Sequence, residues 1–277
     1  MTDVSGGDWL HGRIPIDGGY PAVAGTGWDA YARILHPAEA SGDIDGAFTI
    51  LKWTWAEAAR RRGVGMHALV DWNTIGRQGG QVEVDGLTLS PGQEGCLEPR
   101  LLRILASLLA AETSTPDDIT VGVWSGFGHE TSSRQVATLV FSDEDITEEP
   151  QPAPTDAEMD AVLHRLVNEA TARLQAGILP SAPEAPLLEL PDRDYYLAAA
   201  TLQSLGDLAE HDHDLASGIQ LIWPAGHEWL VASEIDFDST IVGGSRGLIQ
   251  RIVDHPGLEA FVVHEHDHFD IDARAVR

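Results

Sequence analysis

Three groups of residues in this chain are of types that do chemistry. The segment His264-Glu265-His266-Asp267-His268 sets imidazoles at two-residue spacing, so an extended backbone would project them to one side with the acids opposite. A His-x-His pair such as His264 and His266 can clamp one divalent ion. The third imidazole of an extended run lies roughly 13 Å from the first, too far to share that ion without a bend. His211-Asp212-His213-Asp214 is a second His-x-His pair in a polar stretch. Convergence of the two segments would supply His211, His213, His264 and His266 as ligands for zinc or another divalent metal, with Asp267 or Asp270 as base in a metal-dependent hydrolysis.

Gly243-Gly244-Ser245-Arg246-Gly247 fits G-x-S-x-G and lies where an apolar segment meets a predicted helix, the setting a nucleophile elbow requires. Asp254 with His255 or His264 would complete a Ser-Asp-His order, but residues 246–277 are too short a stretch to supply the remaining strands of such a hydrolase. A glycine-permitted turn with Ser245 capping a helix explains the same residues. Glu234, Asp236 and Asp238 alternate along a predicted strand and form a carboxylate row suited to a hard cation or a basic partner. Trp223, His227 and Trp229 surround Pro224-Ala225-Gly226 and are expected to line a pocket or anchor an interface. Nothing near Cys96 marks it as an activated thiol.

Several elements must position these groups. Residues 30–36 read as a strand ending before Pro37. Thr54 and Glu57 have capping-box spacing, which predicts a helix from Thr54 to Arg62 stopped by Gly63. Pro99 begins the most strongly patterned helix, with Leu101, Leu102, Leu105, Leu108 and Leu109 on one stripe, ending near Glu112. Residues 119–124 form a strand. Past Phe141 the chain turns acidic and proline-rich, which predicts a linker over 142–185 carrying one helix begun by Thr155 and Glu158. Beyond it, residues 195–202 read as a strand, 206–218 as a polar loop and 219–223 as a strand stopped by Pro224. From Trp229 the alternation puts Trp229, Val231, Ile235 and Phe237 on one face of a strand and the three acids on the other. Residues 246–255 read as a helix and 260–263 as a last strand. The irregular mixture predicts an α+β fold of mixed or antiparallel sheets: a region 1–141, the linker, and a region 186–277.

The chain carries 44 acidic residues against 17 basic ones, a formal net charge of −27. Such a charge repels nucleic-acid phosphate and anionic membranes, and the most apolar run, residues 101–111, falls short of a membrane span. One cysteine permits no internal disulfide, and the first residues lack signal-peptide character, so a cytoplasmic location is expected.

AYARILHPA, TWAEAA and TPDDITVGVWSGFG in the first half, with LPDRDYYL and IWPAGHEWLVASEIDFDSTIVGGS in the second, resemble a family of uncharacterised cytosolic proteins common in high-GC Gram-positive bacteria. The resemblance implies one functional unit spanning both regions and carries no catalytic residue. The expected function is a protein-binding module, immunity-like or regulatory, that recruits a basic protein without a cofactor. The metal-dependent hydrolase is the alternative.

Overall fold

In the computed structural model, residues 3–15, 19–76, 80–128, 186–191, 193–211 and 218–268 are described. The predicted 142–185 linker and its helix, His213 and Asp270 lie outside them. The fold is α+β, and among the described residues every strand pairs antiparallel.

The larger sheet interleaves strands from both ends of the sequence. From the first part come β1 (Ala30–Leu35) and β6 (Ile119–Trp124). From the second come β7 (Leu188–Leu190), β8 (Arg193–Ala200), β9 (Leu221–Pro224), β10 (Leu230–Ser233), β11 (Ser239–Gly244) and β12 (Ala260–Val263). Their order is β12-β1-β11-β10-β9-β6-β8-β7. Residues 3–124 and 187–268 consequently belong to one compact unit.

Both faces of this sheet are covered, which is why β9 and β10 are buried along their whole length instead of alternating. On one face lie α3 (Pro99–Ala110), α4 (Leu202–His211) and α5 (Arg246–Asp254), whose Leu102, Leu105, Leu205 and Ile249 meet Ile34, Val121, Val231 and Val242. The opposite face, carrying Tyr31, Leu197, Trp223 and Ile241, is covered by 3-10 turns at Ser5–Gly12 and Tyr20–Ala24 through Leu10 and Ala24.

A second sheet, ordered β3-β2-β5-β4, is built from β2 (Ala38–Ile44), β3 (Ala47–Trp53), β4 (Val82–Val84) and β5 (Leu87–Ser90). It packs with α1 (Trp55–Arg62) and α2 (Trp72–Gly76) around Trp55, Trp72, Ala40 and Leu89. Both hairpins turn on Asp-Gly. Asp45 and Gly46 have φ of 56° and 86°, Asp85 and Gly86 of 53° and 84°, the pair of positive values that a type I′ turn needs to match strand twist.

Three predicted elements differ. Residues 229–238 are not one strand: β10 ends at Ser233, the acidic stretch turns, and β11 begins at Ser239. Trp229 and Val231 therefore lie in the helix-side core while Phe237 packs on the opposite side, not on a shared face. The predicted strand 195–202 starts earlier, at Arg193, and yields at Thr201 to α4, which takes up half of the predicted loop 206–218. Thr201 and Ser204 cap that helix reciprocally, each side-chain oxygen accepting the other's amide at 2.9 Å. Serine in the third position hides the box from a search for Glu or Gln. The Thr54 cap on α1 is present, Oγ1 accepting from Glu57 N at 3.1 Å. The Glu57 carboxylate, however, turns outward to Arg60 and Arg61. The first two helix amides go instead to Glu259, 2.6 Å from Trp55 N and 2.7 Å from Ala56 N.

Candidate functional site

The turn between β10 and β11 determines where the predicted carboxylates go. Phe237 N donates to Glu234 O at 2.9 Å and Phe237 O accepts from Gly95 N at 2.9 Å. That second contact demands glycine: Gly95 has φ of 75°, and a Cβ there would sit 2.8 Å from Ile235 Cα. The turn presents Glu234 and Asp236 to Arg193 at the start of β8. Glu234 Oε1 accepts from Arg193 Nε at 3.0 Å and from a terminal nitrogen at 2.8 Å, and Asp236 Oδ2 accepts at 2.9 Å.

These three side chains border an open groove of about 480 Å³, floored by Leu190, Tyr195, Leu221 and Phe237 and closed on one side by Ala22 and Val23. The volume is that of a site for a small molecule or one or two side chains. Two carboxylates against one guanidinium leave one formal negative charge at the rim, and Asp236 is the exposed member, at 72%. Burial, reinforced by Glu234, pushes the Tyr195 phenol well above its ordinary range, so it stays protonated. The groove is thus apolar below and anionic above, suited to an aliphatic stem ending in a cation.

Asp238 does not join the other two, so the predicted carboxylate row is not formed. Its largely buried side chain faces Arg33 at 3.5 Å. Arg33 also donates to Ser239 Oγ at 3.0 Å and to the carbonyls of Ala68 and Val70 at 3.1 and 2.8 Å. Beside it, His36 Nδ1 is 2.6 Å from Gln93 O and Nε2 is 2.9 Å from Thr240 Oγ1, which is 2.7 Å from Ser233 Oγ. A carbonyl can only accept, so Nδ1 carries the proton, Nε2 accepts from Thr240, and Thr240 accepts from Ser233. Burial lowers the His36 pKa to about 4, and burial also raises Asp238 to about 6 against the pull of Arg33. This Ser-Thr-His chain resembles a relay, yet His36, Thr240 and Ser233 are all buried and point at one another. It is a satisfied internal network.

The other predicted groups are placed as follows. Trp223 and Trp229 are both buried but lie in the cores on opposite faces of the sheet, so the trio with His227 does not line one pocket. His227, with φ of 56°, stacks on Trp9 at 4.3 Å. Ser245 caps α5, accepting from Leu248 N at 3.1 Å and donating to Glu112 at 2.9 Å. His255 Nδ1 accepts from Gly257 N, and Asp254 accepts from Gln250, so these two do not assemble a Ser-Asp-His constellation with Ser245. The histidine tail is not extended: Asp267 accepts from His264 N at 2.8 Å and its own amide returns to His264 O, making a turn at Glu265 and His266. Glu265 fastens that turn to the body, accepting from Tyr31 Oη at 2.8 Å and Gly27 N at 2.6 Å. His211 closes α4. Among the described residues no three His, Cys, Asp or Glu side chains are grouped to hold a metal. Burial pushes the Cys96 thiol up to about 12, which makes it a poor nucleophile. Among the described residues no helix is long and apolar enough to cross a membrane.

Sequence reasoning missed Arg193 and the apolar floor. Arg193 stands between Asp192 and Asp194, and nothing local ties it to acids some forty residues further on. The floor combines Leu190 and Tyr195 with Leu221 and with Phe237 of the β10–β11 turn, which are distant in sequence. The Asp45-Gly46 and Asp85-Gly86 hairpins were findable, since Asp-Gly between short apolar runs is a strong local turn signal. No protein-family model, curated protein or solved structure matches the chain.

Proposed function

We propose that the protein is a binding module, immunity-like or regulatory in kind, whose anionic exterior recruits a basic protein. The observation that carries this reading is how the charge is distributed. The net charge is −27, and several of the few cations are already tied to carboxylates of the same chain: Arg33 to Asp238, Lys52 to Glu39, Arg60 and Arg61 to Glu57, Arg193 to Glu234 and Asp236, and Arg251 to Glu112. Internal pairing spends the positive charge and leaves the excess carboxylates to face outward, a field that speeds encounter with a cationic partner and repels anionic ones. The groove at Arg193 is the place for one cationic side chain of that partner. Its stem would lie on Leu221 and Phe237 and its charge beside Asp236.

The test is titration of the purified full chain with an arginine-rich peptide, comparing the native protein with Asp236→Lys. Asp236 is exposed, so the substitution spares the core. The expected result is binding at low ionic strength that weakens several-fold in the variant. Equal affinity in both would remove the groove from the account, and absence of binding at low ionic strength would remove the reading.

A further inference from the structure

We infer that β3 is a docking strand, and that its occupant is an extended segment of the basic partner in which apolar residues alternate with Lys or Arg. The inference rests on the binding-module reading and gives that partner a second, separate point of attachment.

Among the described residues β3 is the outer strand of the smaller sheet, paired to β2 on one side only. The register says which of its backbone groups are unpaired. The type I′ turn at Asp45-Gly46 sets Ile44 opposite Ala47, and in a two-residue hairpin that closing pair is hydrogen-bonded. Antiparallel pairs then alternate, so Gly42 with Thr49 and Ala40 with Leu51 are bonded pairs, while Phe48, Ile50 and Lys52 aim their N–H and C=O groups away from β2. The same three residues share the outer face of the sheet, opposite Asp43, Ser41 and Glu39. Phe48 is 75% exposed and Ile50 56%, and on the inner face Leu51 is 37% exposed.

Free backbone groups beside exposed large apolar side chains are what natural sheets avoid at an edge unless something binds there. Lys52 is the one charge on the strand, and Glu39 at 2.9 Å neutralises it. Charge selects the occupant. Across the outer face Asp43 stands opposite Phe48, with Glu83 on the far strand and Asp45 at the turn. A second copy of the chain would bring another −27 to this edge. A cationic segment meets attraction instead, its apolar side chains covering Phe48 and Ile50 and its backbone extending the ladder.

The probe is a synthetic peptide of about ten residues alternating Val and Arg, added to the full chain at low ionic strength. The expected results are slowed amide exchange at Phe48, Ile50 and Lys52, and affinity weakened about tenfold or more by Ile50→Arg or by methylating alternate peptide nitrogens. Ile50 is exposed, so Ile50→Arg keeps the fold. Exchange at the unbound variant's buried β2 amides verifies this. Peptide bound with no slowing at β3 and no effect of Ile50→Arg would overturn the docking strand and leave the binding-module reading standing. No peptide binding at all would overturn both. A concentration-dependent dimer of the native chain that Ile50→Arg abolishes would show a second copy as occupant and overturn the assignment of a basic partner.

Discussion

His36 and Asp238, joined where His36 N donates to Asp238 O at 2.9 Å, are shifted in opposite directions by burial. Burial holds His36 neutral down to about pH 4, whereas an unfolded histidine takes a proton near 6.5. The unfolded state therefore binds the extra proton first, and the stability His36 contributes is complete above 6.5 and lost as the pH falls toward 4. That gap is worth about 3 kcal/mol. Asp238 behaves oppositely. Its folded carboxyl takes a proton near pH 6 and its unfolded one near 3.8, so stability is gained as the pH falls through that interval, again by about 3 kcal/mol. In the native protein the two contributions nearly cancel between pH 7 and 4. Substitution uncovers one or the other. His36→Gln, whose amide can still donate to the Gln93 carbonyl and accept from Thr240, should gain stability relative to the native protein by about 3 kcal/mol on going from pH 7 to 4. Asp238→Asn should lose a similar amount over the same range. Chemical denaturation at half-unit pH steps measures both, and taking differences from the native protein removes every other titrating group. A pH-independent difference for His36→Gln would refute the placement of a neutral imidazole in this network.

Three further outcomes follow from the geometry. Glu259→Gln removes the carboxylate that accepts both leading amides of α1, and should cost about 1 to 2 kcal/mol in denaturant unfolding, more than Thr54→Ala at about 1 kcal/mol. Gly95→Ala forces a β-carbon against Ile235 at a left-handed backbone position. It should destabilise by about 2 kcal/mol or more and weaken arginine-peptide binding through the displaced Glu234 turn. Tyr31→Phe and Glu265→Gln should show non-additive losses in a double-mutant cycle, because one hydrogen bond joins them. Glu265 is held below the ordinary carboxylate range by its bonds to Gly27 and Tyr31, so its contribution is present at neutral pH and fades as the pH falls through that lowered value.

Local signals were legible wherever one segment decides its own structure. Thr54 with Gly63, Pro99 with its leucine stripe, and Ser245 as a helix cap are each settled within one or two turns of chain, and the corresponding elements are present. The failures share a physical cause. The acids at 234, 236 and 238 alternate as a half-exposed strand would, but two of them are drawn to Arg193 and one to Arg33, partners over 40 residues away in sequence. Apolar alternation says nothing about whether a covering layer exists, so a sheet buried on both faces gives strands such as β10 no outer polar side by which to mark their ends. The histidine tail reads as a ligand set until one notices that its acids are needed at home: Asp267 closes the turn and Glu265 anchors it. The groove itself was half visible, through Glu234 and Asp236. Its arginine and its floor exist only once β8, β9 and the Tyr20–Ala24 turn are brought together.

The central claim is that an anionic exterior recruits a cationic protein. Its most direct measurement is the affinity of the full chain for an arginine-rich peptide across a salt series, beside the same peptide with citrulline for arginine. The account predicts binding that falls by about tenfold or more between 0.05 and 0.3 M salt and is absent for the citrulline peptide. Affinity indifferent to salt, or equal for the uncharged peptide, would contradict it.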